Sequence, residues 1–221
     1  HNALTSDVKG SYSLAIGKDS LETQSFSSAT NAYNTAVGAA AGQSVTTGVQ
    51  NTLIGGLAGD ALTTGVQNVA VGYNALSTED GHGANVAVGM NALSTQNAGA
   101  DAYNTAVGHA AGAAVTTGDS NTLIGGLAGD ALTEGTDNVV VGKSSLSADT
   151  LGSRSVALGK NTLSAQNFTS ATNVYNTAVG HDAGKAVTTG TNNTLIGGLA
   201  GDAITTANSN TAVGASALSA T

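Results

Sequence analysis

Asp60, Asp130 and Asp202 each follow a glycine inside nearly the same phrase, NTLIGGLAGDAL. It begins at Asn51, at Asn121 and, with Ile204 in place of the last leucine, at Asn193. Carboxylates stacked along a rod could hold Ca²⁺, which collects several oxygen ligands. However, the GGxGxDxUx pattern of calcium-binding rolls is missing, and the aspartates recur four repeat units apart, about 19 Å at the spacing of paired strands. His109 and His181 occupy matching places in two of these units, but Ala39 stands at the third, so they read as solvated surface histidines. VGKSS, from Val141 to Ser145, resembles a phosphate loop only in part, because Asp137 stands where the first glycine is required. No paired carboxylates, nucleophile elbow or Cys–His arrangement stands out. The chain reads as a non-enzyme with no catalytic residue, no metal ligand set and no cofactor.

Composition narrows the class further. Of 221 residues 31 are glycine, 3% are aromatic and 9% are charged, with no proline, cysteine or tryptophan and a net charge of -8. An ordinary globular domain carries more aromatics and far more charge. The six Lys and Arg residues are scattered singly, so no basic face awaits nucleic acid. Without cysteine there is neither a disulfide framework nor a thiolate site, and no apolar run approaches the ~20 residues of a membrane span.

What organises the chain is repetition. A five-residue phrase ending in glycine occurs twelve times, starting at Ser13, Asn34, Asn51, Asn68, Asn85, Asn104, Asn121, Asn138, Ser155, Asn176, Asn193 and Asn210. The spacings are 17 residues, lengthened to 19 or 21 once in every four units. Each phrase has the length and alternation of a short strand. Its fourth residue is aliphatic every time: Ile16, Val37, Ile54, Val71, Val88, Val107, Ile124, Val141, Leu158, Val179, Ile196 and Val213. These twelve are expected to form a core spine, with the second residue beside them and the third, usually alanine, facing outward. After the glycine, one type of coil carries Leu21, Leu76, Leu93, Leu146, Leu163 or Leu218, and the other a later aliphatic, Val45, Leu62, Val115, Leu132, Val187 or Ile204. A unit this short cannot bury its own apolar face, and stacking copies does. Glycine, asparagine, threonine and valine at these frequencies exclude helical repeats. The sequence therefore predicts an all-β, parallel β-solenoid of about twelve coils of 17–21 residues with two short strands each, a rod about 55 Å long. Asn or Ser at each phrase entrance is expected to form an inter-coil ladder.

The chain is one solenoid segment, 1–221, with four-coil blocks at 34–103, 104–175 and an incomplete 176–221, while 1–33 closes a preceding block. Neither end has the atypical polar coil of a solenoid cap. The array is expected to continue past both ends or to abut another copy.

The NTAVG and NVAVG units, and VGYNALST from Val71 to Thr78, resemble the head repeats of trimeric autotransporter adhesins (YadA-like). They also resemble the 17-residue NTAxG arrays of bacterial surface and phage tail-fibre-like proteins. The resemblance implies a left-handed β-roll, a homotrimer and a place on a cell surface or virion, where it attaches to host-surface or matrix protein or glycan. The adhesin coils are generally shorter, and the family's stalk, neck and anchor are not found here.

The long units gather the scarce aromatics: Phe26 and Tyr33, Tyr103, Phe168 and Tyr175. Leaving the rod at one phase, they could present a surface or clamp neighbouring chains, and burial against the roll is the favoured expectation. The leading function is an extracellular structural or adhesive fibre segment. The alternatives are a purely structural filament of solenoids stacked end to end, or a phage tail-fibre shaft. Ice binding, suggested by the threonine pairs at Thr46, Thr63, Thr116, Thr188 and Thr205, is disfavoured because the threonine row is interrupted.

Overall fold

The computed structural model describes residues 2–219. Each phrase forms one three-residue strand, from Leu14–Ile16 and Thr35–Val37 through to Thr194–Ile196 and Thr211–Val213. The twelve strands form one sheet in sequence order. Every pairing in it is parallel and phase-matched, as in Thr105 opposite Thr122 and Val107 opposite Ile124. The chain is a parallel β-solenoid, one strand per coil.

The second strand expected in each coil is largely absent. Among the described residues only two short parallel pairs form on the return half, Gly10–Ser11 with Thr30–Asn31 and Gly152–Ser153 with Thr172–Asn173. The reason is backbone conformation. Asn74 and Leu76 lie at φ 58° and 52°, as do their equivalents in other coils, and left-handed residues interrupt an extended run. Their amides are satisfied across coils instead, Asn74 by the Gly56 carbonyl (3.0 Å) and Leu76 by that of Ala92 (3.0 Å). The phrase glycine makes the other corner. Gly108 lies at φ +140°, and a Cβ there would come 2.6 Å from the carbonyl carbon of Gly125 in the next coil. A side chain at this corner therefore collides with the neighbouring backbone.

The faces of the strand are the reverse of the expectation. None of the twelve fourth-position residues (Ile16, Val37, Ile54, Val71, Val88, Val107, Ile124, Val141, Leu158, Val179, Ile196, Val213) is buried. The core takes the third position: Ala36, Leu53, Ala70, Ala87, Ala106, Leu123, Val140, Ala157, Ala178 and Leu195 are fully inaccessible. The cause is the first residue. Asn34, Asn51, Asn68, Asn85, Asn104, Asn121, Asn138, Asn176 and Asn193 are all buried, and period-two alternation then sends the third residue inward and the second and fourth outward.

The buried asparagines form the expected ladder. The Asn121 amide N–H donates to Asn104 Oδ1 (2.8 Å), the Asn138 amide to Asn121 Oδ1 (3.1 Å), and Asn121 Nδ2 to the Gly135 carbonyl (2.8 Å). Asn121→Ala is expected to destabilise the chain by roughly 2–4 kcal/mol, because it orphans a buried amide and a buried carbonyl. Asn121→Ser, which copies Ser155, is expected to cost less. Urea unfolding followed by far-UV circular dichroism reads both.

Packing explains why NTLIGGLAGDAL recurs. Leu53, Leu123 and Leu195 replace the usual third-position alanine, and both their own coils (Gly59, Gly129, Gly201) and the preceding ones (Gly42, Gly112, Gly184) carry glycine where the Leu21-type coils carry leucine. A Cβ on Gly112 would meet Leu123 Cδ1 at 2.6 Å, and one on Gly129 would meet Leu123 Cδ2 at 2.9 Å. The leucine thus fills the space that two glycines in adjacent coils leave open. The remaining volume is closed by Val115 and Leu132, buried as the sequence predicts. In such a narrow core a large side chain at one phase requires its absence at another.

Candidate functional site on the outward face of the sheet

The second and fourth positions of the twelve strands line up, rung upon rung, as two outward columns. One begins at Leu14, alternates pairs of threonine (Thr105, Thr122) with pairs of valine (Val139, Val156) and ends in three threonines (Thr177, Thr194, Thr211), and the other is wholly Val, Ile or Leu. The isoleucines Ile54, Ile124 and Ile196 are 38–39% exposed. Beside the central rungs stand Tyr73 (57% exposed) and Met90 (45%). Tyr73 lies over Gly56, whose added Cβ would be 3.5 Å from the ring. With strands about 4.8 Å apart, eleven intervals make this face about 53 Å long. The two columns together cover on the order of 700 Å² and the wholly aliphatic column about half of that, within the 300–600 Å² of a typical monomer's largest apolar patch. Among the described residues the surface forms no pocket.

The aromatics of the long coils divide. Phe26 and Phe168 are 7% exposed, which matches the favoured burial and sets aside the surface-contact alternative for these two: they tuck under the long loops, where the Phe168 amide donates to the buried Asp149 (3.1 Å). Tyr33, Tyr103 and Tyr175 are exposed, against the expectation of burial, and Tyr12 is exposed with them. All four have positive φ and stand at the same corner of the coil, just before the phrase. Tyr33 stacks on Tyr12 with ring centroids 5.3 Å apart and planes 8° from parallel. Arg154 donates to Tyr175 Oη (2.9 Å), with its guanidinium carbon 5.7 Å from the ring centroid. The corner therefore flanks the outward face with Tyr33, Tyr103 and Tyr175 four rungs apart, about 19 Å, and with Tyr12 one rung from Tyr33.

The polar candidates from the sequence serve the rod. The hydroxyls of Thr46, Thr116 and Thr188 donate to the carbonyls of Thr63, Thr133 and Thr205 in the next coils (3.1, 3.2 and 3.2 Å), and Thr63 donates to the Asp80 carbonyl (2.7 Å). The second threonines of the pairs, Thr47, Thr64, Thr117, Thr189 and Thr206, are exposed. His109 and His181 are exposed. Asp60, Asp130 and Asp202 each leave Oδ1 without a hydrogen-bond partner, and burial pushes the Asp60 and Asp130 carboxyls above their ordinary range. A carboxyl whose folded pKa exceeds its unfolded value favours folding fully at low pH and loses that contribution as pH rises through the folded value. Asp60→Asn and Asp130→Asn are therefore expected to raise Tm at pH 7, by about 1 °C each. The gain should vanish near pH 3, as differential scanning fluorimetry across pH would record.

A buried polar cluster that recurs once per four-coil block escapes the sequence reading. Glu79 and Asp149 are fully buried, as are Gln24, Gln96 and Gln166. Gln166 Nε2 donates to Asp149 Oδ2 (2.6 Å) and to Ser155 Oγ (3.0 Å), while Asn176 Nδ2 donates to Gln166 Oε1 (2.9 Å). These bonds link the ladder across the lengthened coil. The signal was the recurrence of Asp7, Glu79 and Asp149 at matched phase, each followed 17 residues later by glutamine.

Comparison with protein-family models, curated proteins and solved structures yields no match for this chain.

Proposed function

We propose that this chain is a segment of an extracellular fibre, adhesin head or fibre shaft, in which copies pack side by side through the outward face of the sheet and present a repetitive surface for attachment. One observation carries the reading, the uninterrupted aliphatic stripe along all twelve rungs. Together with the threonine and valine column beside it, the outward face spans roughly 700 Å², close to the ~800 Å² per partner of a stable interface. Residues of this kind on a lone rod would be an aggregation liability. The resemblance of the phrases to adhesin head repeats supports three copies per fibre and a location on a cell surface or virion. The tyrosine corner, left at the rim of such a bundle, suits host glycan or matrix protein, since an exposed phenol offers both an apolar ring and a hydrogen-bonding tip.

Electron microscopy of the purified chain tests the fibre reading. Short rods of uniform length and a width greater than one solenoid support it, whereas continuous filaments favour end-to-end stacking. The adhesive half is tested by retention of the rods on immobilised glycans and matrix proteins. The expected result is retention that falls when Tyr33, Tyr103 and Tyr175 are all changed to alanine, and equal retention of both rods would contradict it.

A further inference from the structure

The turn Glu79–His82 differs from its counterparts in a coordinated way. At matched phase the flanking blocks carry Asp7 with Gly10 and Ser13, and Asp149 with Gly152 and Ser155; the middle block carries Glu79 with His82 and Asn85. The first exchange is sterically coupled. A Cβ on Gly152 would run into the Asp149 carboxylate, so a side chain there requires the carboxylate to be placed elsewhere, as the longer glutamate does.

The exchange brings three ligand types together. One ligating atom each from Glu79, Asp80 and His82 lie within 4.8 Å of one another. Glu79 is fully buried, and among the described residues no Lys or Arg forms an ion pair with it. His82 Nδ1 lies 3.4 Å from Glu79 Oε1, yet it is shielded from solvent and makes no hydrogen bond. The turn is held on both sides. Gln96 Nε2 donates to Glu79 Oε2 (3.3 Å) and the His82 amide to Glu79 Oε1 (3.2 Å). The His82 carbonyl accepts from Asn68 Nδ2 (3.0 Å) and the Asp80 carbonyl from Thr63 Oγ1 (2.7 Å). The Asp80 side chain is exposed and free to swing onto an ion. Asp101 Oδ1 closes the flank by accepting from the Gly83 amide (2.8 Å).

We infer that Glu79, Asp80 and His82 bind one divalent transition-metal ion of the Zn²⁺ or Co²⁺ type. An imidazole with two carboxylates suits such ions, and the nitrogen ligand disfavours Ca²⁺ and Mg²⁺. The Gln96 contact orients Glu79 as outer-shell partners do. The ion would neutralise a buried carboxylate and give His82 Nδ1 its missing partner.

Titration of the full chain with Co²⁺, followed by visible absorption, and with Zn²⁺ by calorimetry tests the inference. The expected result is one ion per chain, with affinity reduced at least about tenfold in His82→Gln and in Asp80→Asn. The exposed Asp80 side chain makes the second variant safe for folding. The pair His109→Gln, His181→Gln is expected to bind like the unaltered chain. Absence of one-per-chain binding at about 100 μM cation, binding that survives both His82→Gln and Asp80→Asn, or binding lost with His109 and His181 would each overturn it.

Discussion

Glutamate at both Val71 and Val88 is expected to convert the proposed bundle into single chains of 21.2 kDa while leaving the far-UV circular dichroism unchanged. Both side chains stand on the outward face, on rungs paired directly to one another, near the middle of the stripe. In a separated chain a carboxylate there stays in water and costs little. In a packed bundle it would be desolvated against aliphatic neighbours and against the same residues of other copies. A buried unpaired charge costs several kcal/mol, and each copy would bring two. The effect on association should therefore be at least about a thousandfold. Light scattering coupled to size exclusion reads the mass. Loss of the dichroism signal along with the mass would show that the residues support the coil itself, contrary to their placement.

The second large effect separates two adjacent residues. In that dissociated background, Leu123→Ala is expected to lower stability by about 3–4 kcal/mol, and Ile124→Ala by less than about 1 kcal/mol. Leu123 is fully buried and fills the gap between Gly112 and Gly129. Its removal leaves a cavity that neighbouring glycines cannot close, and rigid coil corners prevent collapse. Ile124 loses only partly exposed surface. Urea unfolding of the two variants gives the comparison directly. Equal losses would mean that both faces of the strand are packed within one chain.

These two residues also mark the boundary of what the sequence can reveal. The rungs are legible because Asn and Gly punctuate every unit, and a period of 17 residues has few other structural readings. Alternation within TLI or TAV divides side chains between two faces without naming the inner one. Uniform aliphatics at the fourth position point to the wrong face. The deciding residue is the asparagine at the phrase entrance, polar by type and usually exposed, yet buried here because its amide completes bonds to two coils. The spine is therefore made of alanine, three leucines and Val140, while the branched residues expected inside form the outward face. The missing return strand has a similar origin, since left-handed Leu76 and its equivalents do not betray their φ by residue type. Scarcity of aromatics anticipates burial correctly for Phe26 and Phe168. It fails for the tyrosines, whose left-handed corner points them outward.

Sedimentation equilibrium of the unaltered chain at micromolar concentration tests the central claim most directly. Lateral packing through the aliphatic stripe, with the three copies proposed above, predicts a discrete mass three times 21.2 kDa, insensitive to salt because the contact is apolar. A single species at the mass of one chain would contradict it.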